Sequence, residues 1–337
     1  MLLATRYDRL REASVRGDEA AGRRAFYAVA GLAEGPDGLE GDGPPGVAWM
    51  RYDRPRRVDL LALRAGARTV AKFEDLDRDT ALALARGLGA EGFRTARVGP
   101  YARRFDVTLS TPTGPADRYL VVASRGGEAE AVVEAERDRS PEGARRAGLL
   151  LGYPPCCVER FVALERSSEA ECDGVNEAAL RALLDGPPVH WALHPLCAES
   201  PIGFVPCSGR CPGALAVARR VLDAVAREDP AGAAALRARL LRPMLIVRMG
   251  LFWVFDGVGA GGARAGRVGY GRVVAQDDPA VPWLRASGAR AVGVALQRAD
   301  AVTLDEGGME ASLEGVSLAR WSLSTPMVPR WWLPVAE

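Results

Sequence analysis

Residues 140–161 read SPEGARRAGLLLGYPPCCVERF, and this stretch decides where the helices in the middle of the chain start and stop. A serine N-cap followed by proline at the first helical position, as in Ser140 and Pro141, predicts that a helix begins there. The glycine and the two prolines over residues 152–155 end this helix, because both residue types disfavour the helix interior. A second helix is therefore predicted to begin at about Cys156, with Cys156 and Cys157 in its first turn.

The helical pattern continues towards the C-terminus. Over residues 212–227 the apolar side chains recur three and four positions apart, as on one face of an amphipathic helix. The predicted helices on this side cover residues 176–184, 212–227 and 231–241. The middle of the chain is therefore predicted to be mostly helical.

On the N-terminal side, residues 47–138 predict a small sheet with helices. Asp77 is a suitable N-cap for a helix over residues 77–88. Residues 105–110 alternate apolar and polar side chains like a half-buried strand, and residues 112–117 predict a turn. The other predicted elements are strands over 69–73, 93–98 and 119–123 and a helix over 128–138. This β-α-β-β-β-α order predicts helices on one face of a small mixed sheet.

The period of the pattern changes after residue 242, where short apolar runs favour strands. The predicted strands cover residues 245–255, 268–275, 291–296, 301–304 and 316–323, and the glycine-rich residues 257–271 predict a loop. The sequence thus predicts an α+β fold in four parts. These are an N-terminal helix and linker (1–46), a small α/β domain (47–138), a helical domain with the cysteines and histidines (139–242) and a β-rich domain (243–337).

Charge and hydropathy limit the classes of partner. The formal net charge is +1, which gives no long-range attraction to nucleic acid or to an anionic membrane. No segment reaches the roughly 18 continuous apolar residues of a membrane span, and residues 1–11 lack the pattern of a secretory signal. We therefore expect a cytoplasmic protein with reduced cysteines and a small-molecule substrate, and we do not expect it to bind nucleic acid or membranes.

All six cysteines and both histidines lie between residues 156 and 211. His194 and Cys197 form an H-x2-C pair, and Cys207 and Cys211 form a C-x3-C pair that leads into the predicted helix over 212–227. Short spacings of this kind are typical of metal ligands. The candidate metal ligands are Cys156, Cys157, His194, Cys197, Cys207 and Cys211. Cys172 and His190 are less suited to a ligand role, since Cys172 stands in a polar run and His190 adjoins Trp191.

Two kinds of metal site fit these ligands. A set of Cys197, Cys207, Cys211 and one of the vicinal cysteines would hold an iron–sulfur cluster, and the [4Fe–4S] type is the preferred interpretation. Zinc bound by His194, Cys197, Cys207 and Cys211 is the alternative. Cys156, Cys157 and His194 are also the candidate catalytic residues, since a thiolate at a helix start beside a histidine can act as a nucleophile.

A resemblance to a known family appears at these same residues. Residues 146–161 (RAGLLLGYPPCCVERF), the segment around His194 and the Pro206-Cys207-Ser208 segment resemble an uncharacterised archaeal and bacterial family. That family carries an LGYPxCCVxxF segment and a downstream PCSxxC segment. The resemblance covers roughly residues 140–220. It implies that the cysteines act as one functional unit, and it implies no substrate.

Three functions follow from the residues. The first is a metalloprotein that acts as an enzyme on an iron–sulfur cluster or a metal ion. The second is an interaction module with a structural zinc site, which chelation would unfold. The third is a metal-free thiol enzyme that uses the Cys156-Cys157 pair.

Overall fold

The computed structural model of the chain describes residues 56–104, 112–138, 140–165, 175–194, 200–248, 251–258, 267–277, 295–305, 308–321 and 330–332. These residues form helices and antiparallel sheets, so the predicted α+β class is confirmed. They divide into two compact units. We call the described residues of 56–104 and 114–241 the N-terminal unit, and those of 242–332 together with 112–113 the C-terminal unit. The predicted N-terminal helix and linker (1–46) and the strand predicted over 105–110 lie outside the described residues.

The N-terminal unit begins with a three-stranded sheet and its helices. The elements are α1 (Arg57–Arg64), β1 (Val70–Leu76), α2 (Arg78–Ala90), β2 (Arg94–Arg104), β3 (Pro112–Ser124) and α3 (Glu128–Arg137). The strand order is β1-β3-β2, and β1 runs antiparallel to β3 with Val70 opposite Ser124. As predicted, the Asp77 side chain accepts a hydrogen bond from Thr80 N and caps α2.

Both faces of this sheet are covered. Phe73 of β1 and Val121 of β3 pack with Leu88 of α2 on one face. Val122 of β3 packs with Val132 of α3 on the other face. The prediction of helices on one face was therefore wrong. The apolar residues of β1 and β3 point to both sides, as strands do when they are buried on both faces.

The helices that carry the cysteines follow. They are α4 (Pro141–Leu150), α5 (Pro155–Glu165), α6 (Val175–Leu184), a single 3-10 turn (Trp191–Leu193), α7 (Pro212–Glu228) and α8 (Pro230–Leu240). Ser140 accepts a hydrogen bond from Gly143 N, so the predicted N-cap of α4 is confirmed. The predicted helices of this region are confirmed with ends that differ by one or two residues. No helix among the described residues is long and apolar enough to cross a membrane.

The C-terminal unit contains two four-stranded antiparallel sheets. Its strands are β4 (Met244–Arg248), β5 (Leu251–Asp256), β6 (Arg267–Gly269), β7 (Arg272–Asp277), β8 (Ala301–Asp305), β9 (Gly308–Leu313), β10 (Val316–Trp321) and β11 (Arg330–Trp332). The strand orders are β10-β9-β8-β6 and β11-β4-β5-β7. Phe252, Trp253 and Phe255 of β5 are fully buried and form the centre of the second sheet.

Several sequence predictions differ from the structure, among them the strand predicted over 268–275, which is the two strands β6 and β7. The run 245–255 is not one strand but the antiparallel pair β4 and β5, with Met244 opposite Val254. Residues 112–117 are not a turn but the start of β3. The strand begins at Pro112, and proline is tolerated as the first residue of a strand. Residues 295–296, the described part of the strand predicted over 291–296, are helical and not extended, since a short apolar run does not separate helix from strand. Strand β9 was not predicted.

Candidate metal centre

The start of α5 places the vicinal cysteines. Gly152 has a φ of +74°, a left-handed conformation that ends α4 while Tyr153 N donates to Gly148 O at 3.0 Å. The next helix begins at once, because the N–H groups of Cys157 and Val158 donate to Pro154 O at 2.9 and 3.0 Å. Cys156 and Cys157 therefore lie in the first turn of α5, as the sequence predicted.

The other two cysteines lie at the start of α7. Cys211 is the N-cap residue of α7 and is followed by Pro212 at the first helical position. The loop between Cys207 and Cys211 is held by main-chain contacts, with His190 N donating to Gly209 O at 2.8 Å. A side chain at Gly209 would not fit, since its Cβ would lie 2.9 Å from Pro187 O. The C-x3-C loop is therefore fixed on the body of the N-terminal unit.

These two helix starts bring four thiols together. The sulfur atoms of Cys156, Cys157, Cys207 and Cys211 all lie within 4.8 Å of one another, and we call this group the four-cysteine site. Cys211 Sγ lies 3.5 Å from Cys156 Sγ and 3.6 Å from Cys157 Sγ. Four cysteines at such distances could coordinate a metal ion. The structure thus unites both vicinal cysteines with Cys207 and Cys211, whereas the preferred sequence interpretation used only one of the pair.

Helix packing explains the approach of the two helix starts. Gly213, in the first turn of α7, faces Pro154, and a Cβ at position 213 would lie only 2.9 Å from Pro154 Cβ. The contact is possible because glycine has no side chain. It brings the residue before Pro155 against the residue two places after Cys211. The four-cysteine site depends on this close approach.

The four thiols differ in their exposure to solvent. Cys157 and Cys211 are 3% and 1% exposed, Cys207 is half-buried and Cys156 is exposed. Burial raises the pKa of Cys157, and burial together with the nearby Cys211 raises the pKa of Cys207 to about 11. Burial opposes ionisation of Cys211 too, but the Ala214 amide and the neighbouring thiols outweigh it and lower the pKa of Cys211. Without a cation, the site therefore favours protonated Cys157 and Cys207 thiols at neutral pH.

A backbone donor also points at the site. Cys207 N lies 3.4 Å from Cys157 Sγ and donates to it. Such an N–H bond stabilises a sulfur that carries negative charge. It requires the chain at Cys207 to pass directly over the first turn of α5. The site therefore holds a charge-stabilising contact besides its four sulfurs.

The remaining sequence candidates have different positions. His194 is fully buried, and burial lowers its pKa to about 3. Among the described residues, the group of mutually close ligand atoms does not include His194. The Nδ1 of His190 accepts from Ala192 N at 3.2 Å and caps the 3-10 turn. Cys172 and Cys197 lie outside the described residues.

One arrangement near the site was not predicted from the sequence. The buried carboxylate of Asp59 pairs with Arg56 Nε and Arg68 Nε, each at 3.2 Å. The two guanidinium groups also donate to the carbonyls of Ser200 and Pro201. This ion-paired group fastens the chain a few residues before Cys207. No local pattern could reveal the two contacts to residues 200–201, because each joins residues more than 130 positions apart in the sequence.

A small depression adjoins the site on the Cys207 side. It lies between α5 and α6, and Arg160 is the charged residue in its wall. Its lining residues are Arg160, Phe161, Leu164, Ala179, Ala182, Leu183, Val205, Pro206 and Cys207.

Fold and site together define an α+β protein with four cysteines that could hold a metal ion. No protein-family model, curated protein or solved structure matches the chain. The argument about function therefore rests on the geometry of the four-cysteine site. Membership of the family with the LGYPxCCVxxF segment stays a prediction.

Proposed function

We propose that the chain is a zinc-binding protein whose four-cysteine site holds one tetrahedrally coordinated ion. The observation that carries the proposal is the mutual distance of the four sulfur atoms, at most 4.8 Å. Zinc–sulfur bonds of about 2.3 Å in a tetrahedron require sulfur atoms about 3.8 Å apart. The distances of 3.5 and 3.6 Å around Cys211 are close to that value.

The same distances favour a single ion over an iron–sulfur cluster. In a [4Fe–4S] cluster each cysteine binds a different iron, which separates the cysteine sulfurs by about 6 Å. The four sulfurs of this site are closer than that. The [4Fe–4S] interpretation of the sequence therefore has less support than the zinc interpretation.

The surroundings suit the charge of such a centre. Zinc with four thiolates carries two negative charges in excess, and the N-termini of α5 and α7 both direct the positive ends of their helix dipoles at it. The N–H of Cys207 adds a hydrogen bond to Cys157 Sγ. A cation would also shift the thiols that burial keeps protonated, because a coordinating thiol loses its proton.

Four thiolates fill a tetrahedral zinc shell and leave no position for water or substrate, which is the mark of a structural zinc site. The ion would join the start of α5, the Cys207 loop and the start of α7. We therefore propose an interaction module that zinc stabilises, rather than an enzyme that works at the metal. A metal-free thiol enzyme has less support, because burial raises the pKa of the Cys157 thiol.

The first test is the metal content of protein purified without oxygen. One zinc per chain, without iron or acid-labile sulfide, is the expected result. Cys211→Ser should lose the zinc, and the control is Cys172→Ser, which replaces a cysteine of the polar run 168–174. Iron with labile sulfide would overturn the zinc proposal in favour of a cluster. Zinc retained in full by Cys211→Ser would show that the four-cysteine site is not the binding site.

A further inference from the structure

One ligand of the proposed zinc site is open to solvent. Cys156 is exposed, while Cys157 and Cys211 are 3% and 1% exposed. A structural site protects its thiolates by burial, and reactivity of a cysteine follows thiolate character and exposure. Cys156 is therefore the thiol of the site that a small reagent from solution meets first.

The exposed thiol has a partner at short range. Cys211 Sγ lies 3.5 Å from Cys156 Sγ, and closing this distance to a disulfide bond of about 2.05 Å needs a movement of about 1.5 Å. Cys156 cannot readily pair with Cys157, because adjacent cysteines form a strained eight-membered ring. Cys157 is also buried and accepts the hydrogen bond from Cys207 N.

We propose that Cys156 is a site of oxidative modification by peroxides and that Cys211 is its resolving thiol. The Cys156 sulfur attacks one peroxide oxygen, the O–O bond breaks, and the second oxygen leaves as hydroxide and becomes water. Cys156 is then a sulfenic acid. The Cys211 sulfur attacks the Cys156 sulfur, the S–O bond breaks, an S–S bond forms, and the second hydroxide leaves as water. Two thiols lose two electrons and two protons, and one peroxide is reduced to two waters.

The consequence for the metal rests on the proposed zinc function. A Cys156–Cys211 disulfide removes two of four ligands, and a zinc ion left with Cys157 and Cys207 is released. The disulfide itself would keep the start of α7 joined to the start of α5, and loss of the ion would free the Cys207 loop from both. Oxidation would therefore change the same contacts between α5, the Cys207 loop and α7 that zinc stabilises.

The sequence makes the disulfide easy to map. Trypsin cleaves after Arg146, Arg160, Arg210 and Arg219, so the vicinal cysteines fall in peptide 147–160 and Cys211 in peptide 211–219. Cys207 falls in a separate peptide, 182–210. Full-length protein is treated with one equivalent of hydrogen peroxide, the remaining thiols are alkylated, and the digest is analysed by mass spectrometry. We expect peptides 147–160 and 211–219 to be joined with the loss of two hydrogen atoms.

Variants and fragmentation decide which vicinal cysteine reacts. Cys156→Ser should abolish the cross-link, and Cys157→Ser, the matched control, should keep it. Fragmentation between the two cysteines of the wild-type cross-link gives the same assignment without a variant. A cross-link to peptide 182–210, a cross-link through Cys157, or oxidation of Cys156 to sulfinic acid without a cross-link would overturn the inference.

The metal is followed separately with a zinc-sensitive dye. Zinc released in step with the cross-link supports both proposals. Protein that contains no zinc before oxidation contradicts the zinc proposal, and the cross-link map of that same protein still tests the pairing of Cys156 with Cys211. A complete cross-link with all zinc retained would overturn the assignment of these two cysteines as ligands.

Discussion

A single added methyl group should reveal how tightly the two helix starts are coupled. In Gly213→Ala the new Cβ would lie 2.9 Å from Pro154 Cβ and 3.2 Å from Pro154 Cγ. Carbon atoms in contact normally lie about 3.5–4.0 Å apart. The starts of α5 and α7 must therefore separate by roughly 0.6–1 Å, which exceeds the tolerance of about 0.2 Å for metal–ligand bonds.

Two effects on stability compete in this variant. Overpacking of a closely packed contact costs about 1–3 kcal/mol. Replacing glycine by alanine in a helix gains up to about 1 kcal/mol, and less in the first turn. The net expectation for Gly213→Ala is a loss of about 1–2 kcal/mol in the free energy of unfolding. Zinc affinity should fall by about 10–100-fold, as for residues that orient ligands without binding the metal.

Gly87→Ala is the matched control. Gly87 is also helical, in α2, and a Cβ there meets nothing within 4 Å. This control should gain up to about 1 kcal/mol and leave zinc affinity unchanged. The assays are urea unfolding and competition with a zinc chelator of known affinity. Our account of the packing is refuted if Gly213→Ala is stabilised as much as the control and binds zinc like the wild type.

Two further substitutions test buried ionisable groups in the N-terminal unit. The pKa of His194 is lowered to about 3 in the fold, so its contribution to stability is full above the unfolded pKa of about 6.5 and is lost as the pH falls towards 3. The free energy of unfolding, measured with urea, should therefore fall by up to about 3 kcal/mol between pH 7 and pH 4. His194→Gln should flatten this pH dependence, and the same dependence of unfolding free energy on pH in both proteins would disprove the reasoning. Asp59→Asn leaves Arg56 and Arg68 without their buried counter-charge and should cost about 3 kcal/mol in the same assay. Glu91→Gln, which removes only an exposed ion pair, is its control and should change little; equal effects of the two variants would contradict the reasoning.

The helix boundaries could be predicted because the interactions that set them are local. The caps at Asp77 and Ser140 each bind an N–H three residues ahead, so both partners lie within one short stretch of sequence. The same holds for the break at Gly152 and the restart at Pro155. Predictions failed where a pattern has two structural meanings, since Ala295 and Leu296 end a short apolar run and yet are helical.

The candidate site was predicted in its residue types and only partly in its membership. Concentration of the cysteines between residues 156 and 211 pointed to a metal site, and four of the predicted ligands do come together. The combination differs, because both vicinal cysteines join Cys207 and Cys211. The set of cysteines that come together depends on the orientation of α5 relative to α7. This orientation is set by the contact between Gly213 and Pro154, two residues that are far apart in the chain.

The sequence by itself determined the local elements of this protein: the caps, the proline and glycine breaks, the amphipathic helices and the placement of cysteines at two helix starts. Only the tertiary structure decided that both faces of the β1-β3-β2 sheet are covered, that Asp59 anchors the chain before Cys207, and which thiols lie together. The physical reason is the distance along the chain between the residues that interact. Hydrogen bonds within one helical turn are encoded by neighbouring residues, whereas the packing of Gly213 against Pro154 and the hydrogen bonds from Arg56 and Arg68 to residues 200–201 join distant segments and exist only after the chain has folded.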